Sequence, residues 1–481
     1  MSGRTHRLIF IPAPGLGHLI STVEMANLIT SRDRRISATI LIIKLPFDSE
    51  IDSYTSSLAS TPGSSHVNLV QLPEVKTGFD AEISMTFLVQ LVAANKTCVT
   101  EAVSRLSSEK SMRIAGFVID MFCMCMVDVG AMFALPTYLF FTSNAAFLGF
   151  ICFLQQLMDE HNMDVTKFKD TEEEISFPGF RHPVQANKVV PSILHREESA
   201  NAFLSNVRWF RKVNGIIVNT FDELEPRPLK FLHGDAKLPV VYPVGPVLSG
   251  TNGGGNRKGE HDEVMMWLDN QPAESVVFLC FGSMGSFCKE QVKEIAVALE
   301  RTGHRFLWSL RRPPRKGTLG FPTDYPDIEN ILGKDFLGRT AQLGRVIGWA
   351  PQVEILSHPS VGGFVSHCGW NSALESLRSG VPMATWPMYA EQQFNAYQLV
   401  VELGVAVEIT MDYRKDFGME GNFLVESPEI ERGIKELMQV DGEHRKKAKE
   451  LSGLGRKALS EGGSSYSFLG DFIQRVLDNT P

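Results

Sequence analysis

Short apolar runs alternate with helical patterns almost from end to end of this chain, and that alternation leaves few folds open. LIFIPA (Leu8–Ala13), ATILII (Ala38–Ile43), VNLVQL (Val67–Leu72), GFVID (Gly116–Asp120), TYLFF (Thr137–Phe141) and GIIVN (Gly215–Asn219) read as strands. Most are apolar at nearly every position, as strands covered on both faces must be. Helical segments lie between several of them, which predicts a parallel sheet with helices on each side. One break interrupts the pattern: SGTNGGGNRKGEHDE (Ser249–Glu263) is glycine-rich, polar and aperiodic, and reads as a linker. The alternation then restarts with the strand SVVFLCFGS (Ser275–Ser283) and the helix KEQVKEIAVALERTG (Lys289–Gly303), and HRFLWSL, GRVIGWA, GGFVSH, PMATWP and AVEIT follow as strands. A chain of 481 residues is too long for one ordinary core. The expected architecture is therefore α/β, with two doubly wound domains facing each other across a cleft. The expected boundaries are 1–248, a linker over 249–263, a second domain over 264–460, and a helix within 461–481 that packs back on the first domain.

Charge and cysteine content exclude several classes of function. The formal net charge is −8 and no block of Lys or Arg is present, so no nucleic-acid groove is expected. A neutral small substrate, or one bound diphosphate, is compatible with that balance. Seven cysteines with no CxxC pair point to a reducing compartment and no disulfide framework. The apolar run Leu8–Ile11 is too short for a secretory leader. The most membrane-like stretch, Ile114–Met158, is broken by Asp120, Asp128, Pro136 and the Thr142-Ser143-Asn144 turn, so no stable membrane insertion is expected. A cytoplasmic enzyme or binding protein is the expectation.

In doubly wound sheets ligands bind outside the carboxyl ends of the strands, so the strand ends carry the chemistry. Four of them are unusual. FGSMGS (Phe281–Ser286) places Ser283 in a glycine-flanked turn, where it serves either a phosphate or the next helix as a cap. GWAPQ (Gly348–Gln352) places Trp349 at a strand end, either as a core residue or as a flat face for a base. SHCGWNSALESLRSG (Ser366–Gly380) puts His367, Trp370, Asn371 and Ser372 where a strand gives way to a helix amino terminus. There the unpaired N–H groups and the helix dipole favour an anion. WPMYAEQQ (Trp386–Gln393) clusters a carboxylate and two amides, a mixture of acceptors and donors suited to sugar hydroxyls, or simply to a solvated loop. In the first half, His18 follows a strand and a glycine turn at the start of a helix, either as a polar capping residue or as a base. The helix amino terminus disfavours imidazolium and is expected to keep His18 neutral. Asp120, at the end of a strand in the same sheet, is the residue to orient the ring and stabilise its charged form. GLGHLI lacks the third glycine of a dinucleotide fingerprint, having Ile20 there, so no NAD site is expected.

Taken together, WAPQ from Trp349, HCGWNS from His367, Glu375 and YAEQ ending at Gln392 resemble the signature box of the plant secondary-product UDP-glycosyltransferases. PAPGLGHL (Pro12–Leu19), NTFDELEP (Asn219–Pro226) and YPVGP (Tyr242–Pro246) extend the resemblance along nearly the whole chain. It implies the GT-B fold, two Rossmann-like domains with the nucleotide sugar held mainly by the second. It also implies that Trp349 stacks on uracil, that Ala350 (through its backbone) and Gln352 serve the uridine, and that Glu375 accepts from the ribose. His367, Asn371, Ser372 and Ser283 would hold the diphosphate. Trp370 (through its backbone), Glu391 and Gln392 would hold the sugar, with Thr142 reaching across from the first domain, and His18 would be the base with Asp120 its partner.

The implied reaction transfers glucose from UDP-glucose to a hydroxyl of a small lipophilic acceptor (a flavonoid, another phenolic or a terpenoid) with inversion to a β-glucoside. No metal and no resident cofactor are expected, and the family tendency is to a monomer. The acceptor would lie against Met121 and Phe122, the Phe141–Phe150 segment including Phe147, and the loops of Phe79–Phe87. Two rivals stand beside this reading: a GT-B epimerase or hydrolase of UDP-sugars, and a non-catalytic small-molecule binder.

Overall fold

The apolar runs become strands because the helices between them bury both faces of each sheet. The computed structural model describes residues 5–45, 49–60, 66–75, 85–109, 111–190, 194, 197–248, 258–315, 321–411 and 424–480. Its first half contains β1 (His6–Ile11), β2 (Ile36–Ile42), β3 (Val67–Gln71), β4 (Arg113–Asp120) and β5 (Thr137–Phe141). A short antiparallel pair, β6 (Glu174–Ile175) and β7 (Val184–Gln185), precedes β8 (Gly215–Val218) and β9 (Val241–Pro243). Apart from that pair, the seven strands form one parallel sheet in the order β3-β2-β1-β4-β5-β8-β9.

The second half repeats the plan with β10 (Val276–Cys280), β11 (Arg305–Ser309), the short pair β12 (Arg311–Arg312) and β13 (Thr323–Asp324), then β14 (Gly344–Ile347), β15 (Val361–Ser366), β16 (Met383–Thr385) and β17 (Ala406–Glu408). Six of these form a parallel sheet in the order β14-β11-β10-β15-β16-β17. These are the two doubly wound α/β sheets expected from the sequence. The short strand β9, which lies within the YPVGP motif, and the two small antiparallel pairs carry no pattern that would have announced them.

The strand orders position the site. In each sheet the connections run outward in opposite directions from a central pair, β1 and β4 in the first and β10 and β15 in the second. The loops after such a pair diverge and leave a crevice at the carboxyl edge of the sheet. His18 follows β1 and Asp120 ends β4, while the Gly282 turn and His367 follow β10 and β15.

Residues 249–257 of the expected linker lie outside the described residues, and residues 258–263 belong to the helix Lys258–Asp269. At the carboxyl end, the helix Ser464–Asp478 lies on the first sheet. Phe472 meets Tyr138 edge-on at 5.1 Å and Tyr242 at 5.5 Å, and Arg32 sits 3.4 Å over the ring of Tyr466. Among the described residues no helix is long and apolar enough to cross a membrane.

Candidate functional site

At the first crevice, Gly15 at φ +126° turns the chain from β1 into the helix Leu16–Arg32, so that His18 is the third residue of its first turn. Its Nδ1 lies 2.8 Å from Oδ2 of Asp120, the last residue of β4. The other carboxylate oxygen accepts from the Phe122 N–H at 3.0 Å. A carboxylate can only accept, so His18 Nδ1 carries the proton and Nε2 is left as the basic nitrogen. Asp120 is 1% exposed at its side chain and His18 28%, so the carboxylate is sealed while the ring reaches the crevice. Thr142 Oγ1 lies 3.4 Å from the same Nδ1, and the ring of Phe122 stands edge-on 5.6 Å away.

Burial alone would lower the His18 pKa. The charge and hydrogen bond of Asp120, with the charge of Glu391 from the second half, outweigh it and raise the ring above its usual 6.5. The helix terminus therefore does not set the direction of the shift. A full carboxylate at hydrogen-bond distance outweighs the partial charge of a helix end.

At the second crevice two glycines make room for a histidine. Gly282 adopts φ +73°, and a Cβ there would stand 2.7 Å from His367 Nε2; a Cβ on Gly369 would stand 2.5 Å from it. His367 is 6% exposed, and burial pulls its pKa down to about 4, so near neutrality it is an uncharged ring. Its Nδ1 has no hydrogen-bond partner in the protein, and neither does Oδ1 of Asn371. The helix Trp370–Ser379 starts at Gly369 without a side-chain cap, leaving its first N–H groups for another acceptor. Cys368 and Ala390, at φ +64° and +55°, hold left-handed conformations at the edges of the same site. Backbone strain of this kind concentrates at functional sites.

The remaining expected residues gather around that helix. Gln352 donates to Ser372 Oγ at 2.8 Å and to Glu375 Oε2 at 2.7 Å, which brings three of them into contact. Trp349 is half-buried, Ala350 is buried, and Ser283 lies exposed on the Gly282 turn. Glu391 accepts from Ser143 Oγ at 3.2 Å. Gln392 is buried, its carbonyl oxygen accepting from the N–H groups of Met388 and Tyr389 at 2.9 and 3.0 Å. The Trp370 indole is committed to the protein, donating to the carbonyl of Asn219 at 2.7 Å.

The expected acceptor residues divide. Phe122 borders His18. Phe147 (2% exposed) stacks on Phe203, with centroids 6.4 Å apart, and tilts against Phe394 at 5.5 Å. Phe87 (4%) and Met121 also belong to the core, and Phe79 lies outside the described residues.

Sequence reasoning missed the residues that join the halves. Asn371 Nδ2 donates to Ser21 Oγ at 2.8 Å, and Asn144 Nδ2 to Asn395 Oδ1 at 2.6 Å. Glu225 is buried and accepts from the N–H groups of Ala145 and Ala146, both at 2.9 Å, and from Gln398 at 2.6 Å. Burial pushes its carboxyl pKa up, against the pull of these donors. Glu225 and Asn219 both belong to NTFDELEP, where Glu225 stands beside Asp222, Glu223 and Arg227, so no local signal marks it as the buried one. Among the described residues no group of three or more His, Cys, Asp or Glu could hold a metal ion.

Residues 213–420 match the family model described as UDP-glucoronosyl and UDP-glucosyl transferase. A UDP-glucose flavonoid 3-O-glucosyltransferase of Fragaria ananassa is 50% identical over 483 residues, spanning 98% of this chain and 99% of its own. The crystal structure of a transferase from Siraitia grosvenorii in complex with UDP superposes with a TM-score of 0.86 at 44% identity, over 98% of this chain and 100% of that one. A Medicago truncatula UDP-glycosyltransferase structure complexed with UDP-glucose gives a TM-score of 0.85 at 38% identity, over 98% of each chain.

Proposed function

This chain belongs to the family of UDP-glucosyl and UDP-glucuronosyl transferases and is a glycosyltransferase of GT-B fold, and we propose that it moves glucose from UDP-glucose to a hydroxyl of a flavonoid or related phenolic, with inversion. The observation that carries this reading is the His18–Asp120 pair at one crevice, set against the uncapped Trp370 helix and the unpartnered nitrogen of His367 at the other.

The donor would lie with uracil on the half-buried face of Trp349, its ribose against Glu375 and Gln352, and its diphosphate at the start of the Trp370 helix. His367, whose Nδ1 has no partner in the protein, would give the diphosphate an N–H. Asn371, Ser372, Ser283 and the first N–H groups of the helix complete the cradle, which stabilises the charge that grows on the leaving group. Glu391, Gln392, Thr142 and the Trp370 backbone hold the sugar.

The acceptor hydroxyl then meets His18 Nε2. The proton passes to that nitrogen as the oxygen attacks the anomeric carbon, the bond from that carbon to the UDP oxygen breaks, and UDP leaves from the opposite face. Asp120 holds the ring in the required tautomer and stabilises the imidazolium that results. The upward shift of His18 fits this role, since the ring must be basic enough to take a proton from a weakly acidic hydroxyl. One displacement converts an α-linked donor into a β-glucoside. The Fragaria relative is named for flavonoids, and Phe122 beside His18 offers an edge against which a flat acceptor can lie.

The test is a panel of flavonoids, simple phenols and terpenoid alcohols incubated with UDP-glucose and read by mass spectrometry for a hexose increment. Product on at least one phenolic, reduced by about 10²–10⁴ in His18→Ala, is the expected result. Consumption of UDP-glucose at the same rate without any acceptor would identify a hydrolase or epimerase instead.

A further inference from the structure

Two buried side-chain amides run in series between the two crevices. Asn144 Oδ1 accepts from the Phe147 N–H at 2.6 Å, capping the helix Ala145–His161, and Asn144 Nδ2 donates to Asn395 Oδ1 at 2.6 Å. Asn395 Nδ2 then donates to the carbonyl of Cys368 at 2.9 Å. Asn144, Asn395 and Cys368 are each 0% exposed. The chain ends on a backbone donor at one side and a backbone acceptor at the other. Each amide can therefore be turned only one way round, and reversing either would oppose two donors or two acceptors.

The two ends of this chain are informative. Cys368 holds φ +64° between His367 and Gly369, a conformation that a residue with a Cβ keeps only under outside constraint. Its N–H is held by Ser366 Oγ at 3.1 Å and its carbonyl by Asn395. At the other end, Asn144 closely follows Thr142, which approaches His18, and Ser143, which donates to Glu391. Both asparagines have their polar atoms committed to protein partners, so neither is placed to touch a substrate.

We infer that Asn144 and Asn395 are positioning residues for the donor diphosphate, holding the His367-Cys368-Gly369 turn in the shape that aims His367 and the first N–H groups of the Trp370 helix. The inference rests on the proposal that this turn receives the diphosphate. It differs from a purely structural role in one respect: breaking the chain should weaken ligands that carry a diphosphate and spare those that do not.

The variant that separates the two roles is Asn144→Asp. Aspartate caps a helix as well as asparagine does, so the Ala145–His161 helix keeps its cap. At pH 8 its carboxylate has no N–H to offer Asn395. Calorimetric titration of the full chain with UDP and with uridine is compared for wild type, N144D, N395A, N144D/N395A and H367A. Loss of a buried hydrogen bond that leaves its partner unsatisfied predicts that N144D and N395A each bind UDP roughly tenfold more weakly or worse. Uridine affinity should stay within about twofold, and the double variant should be no weaker than N395A, because one chain is broken only once.

A folded N144D or N395A with wild-type UDP affinity would overturn the inference. So would equal losses for UDP and uridine, or additive losses in the double variant. If either variant fails to fold by circular dichroism, Asn395→Ser replaces it, its hydroxyl being too short to reach both partners. H367A separates the layers: UDP affinity unchanged in H367A removes the diphosphate assignment itself, whereas a loss there with none in the asparagine variants removes only the positioning role.

Discussion

Replacing Asp120 by asparagine removes one charge without removing volume, and the hydrogen bonds around it fix how the new amide must sit. One oxygen of Asp120 is held by the Phe122 N–H at 3.0 Å, so the amide must keep its carbonyl there and turn its NH2 group toward His18 Nδ1, 2.8 Å away. Two donors cannot face each other. His18 must therefore move its proton to Nε2, the nitrogen that has to accept from the acceptor hydroxyl. The same tautomer reversal in a Ser-His-Asp triad costs ~10⁴ in kcat, and general-base removal costs ~10²–10⁴, so Asp120→Asn should lose about 10³–10⁴.

The pH dependence carries a second, independent signature. In the wild type the neutral ring is the active form, so the rate rises with pH through a His18 pKa that lies above 6.5. Without the carboxylate, the burial that opposes protonation is left less opposed, and the acid limb should move to lower pH while the plateau falls. The assay is kcat/KM across pH with a weakly acidic acceptor, alongside UDP affinity by calorimetry. A plateau within tenfold of wild type, an acid limb that does not move, or an equal loss of UDP affinity would each rule out the tautomer mechanism.

Gly282→Ala should weaken UDP by about tenfold or more, because its φ of +73° disfavours any Cβ by roughly 1–2 kcal/mol and that Cβ would meet His367 Nε2 at 2.7 Å. Calorimetry on a variant with a near wild-type melting temperature checks it, and unchanged affinity would mean that His367 does not bear on the donor. Trp349→Ala should cost about 1–3 kcal/mol of UDP affinity, the scale of base–aromatic stacking, with little loss of stability because its ring is only half-buried. A large fall in melting temperature with UDP affinity intact would make Trp349 a core residue like Trp308 and Trp386, which are fully buried.

Most of the two sheets was legible because their strands are buried on both faces and advertise it as unbroken apolar runs. TYLFF became β5 over the same five residues, and SVVFLCFGS contains β10. Strand ends were less sharp: GFVID is the last five of the eight residues of β4, which takes in the buried Ile114 and Ala115 as well and begins at the exposed, charged Arg113. Three-residue β9 is too short to carry a pattern. The site motifs stand out in the sequence for a different reason, since they place polar side chains and glycines at the carboxyl ends of strands, where doubly wound sheets bind ligands.

Partners across the fold were not legible. Ser21 and Asn371 are 350 residues apart and Asn144 and Asn395 are 251, so no local spacing announces either bond. The direction of the His18 shift was hidden for the same reason. The helix terminus is local and visible in the sequence, whereas the distances to Asp120 and to the Glu391 charge exist only in the folded chain.

If both crevices serve one reaction, the diphosphate rests on the Trp370 helix while the acceptor hydroxyl meets His18 Nε2. A crystal structure of the enzyme with UDP and a phenolic acceptor bound together would show both at once. Phosphate oxygens are expected within hydrogen-bond distance of His367 and of the Asn371 and Ser372 N–H groups, with an acceptor oxygen beside His18. Phosphate density bound elsewhere, or an acceptor whose hydroxyl lies away from His18, would separate the two crevices and end the proposed reaction.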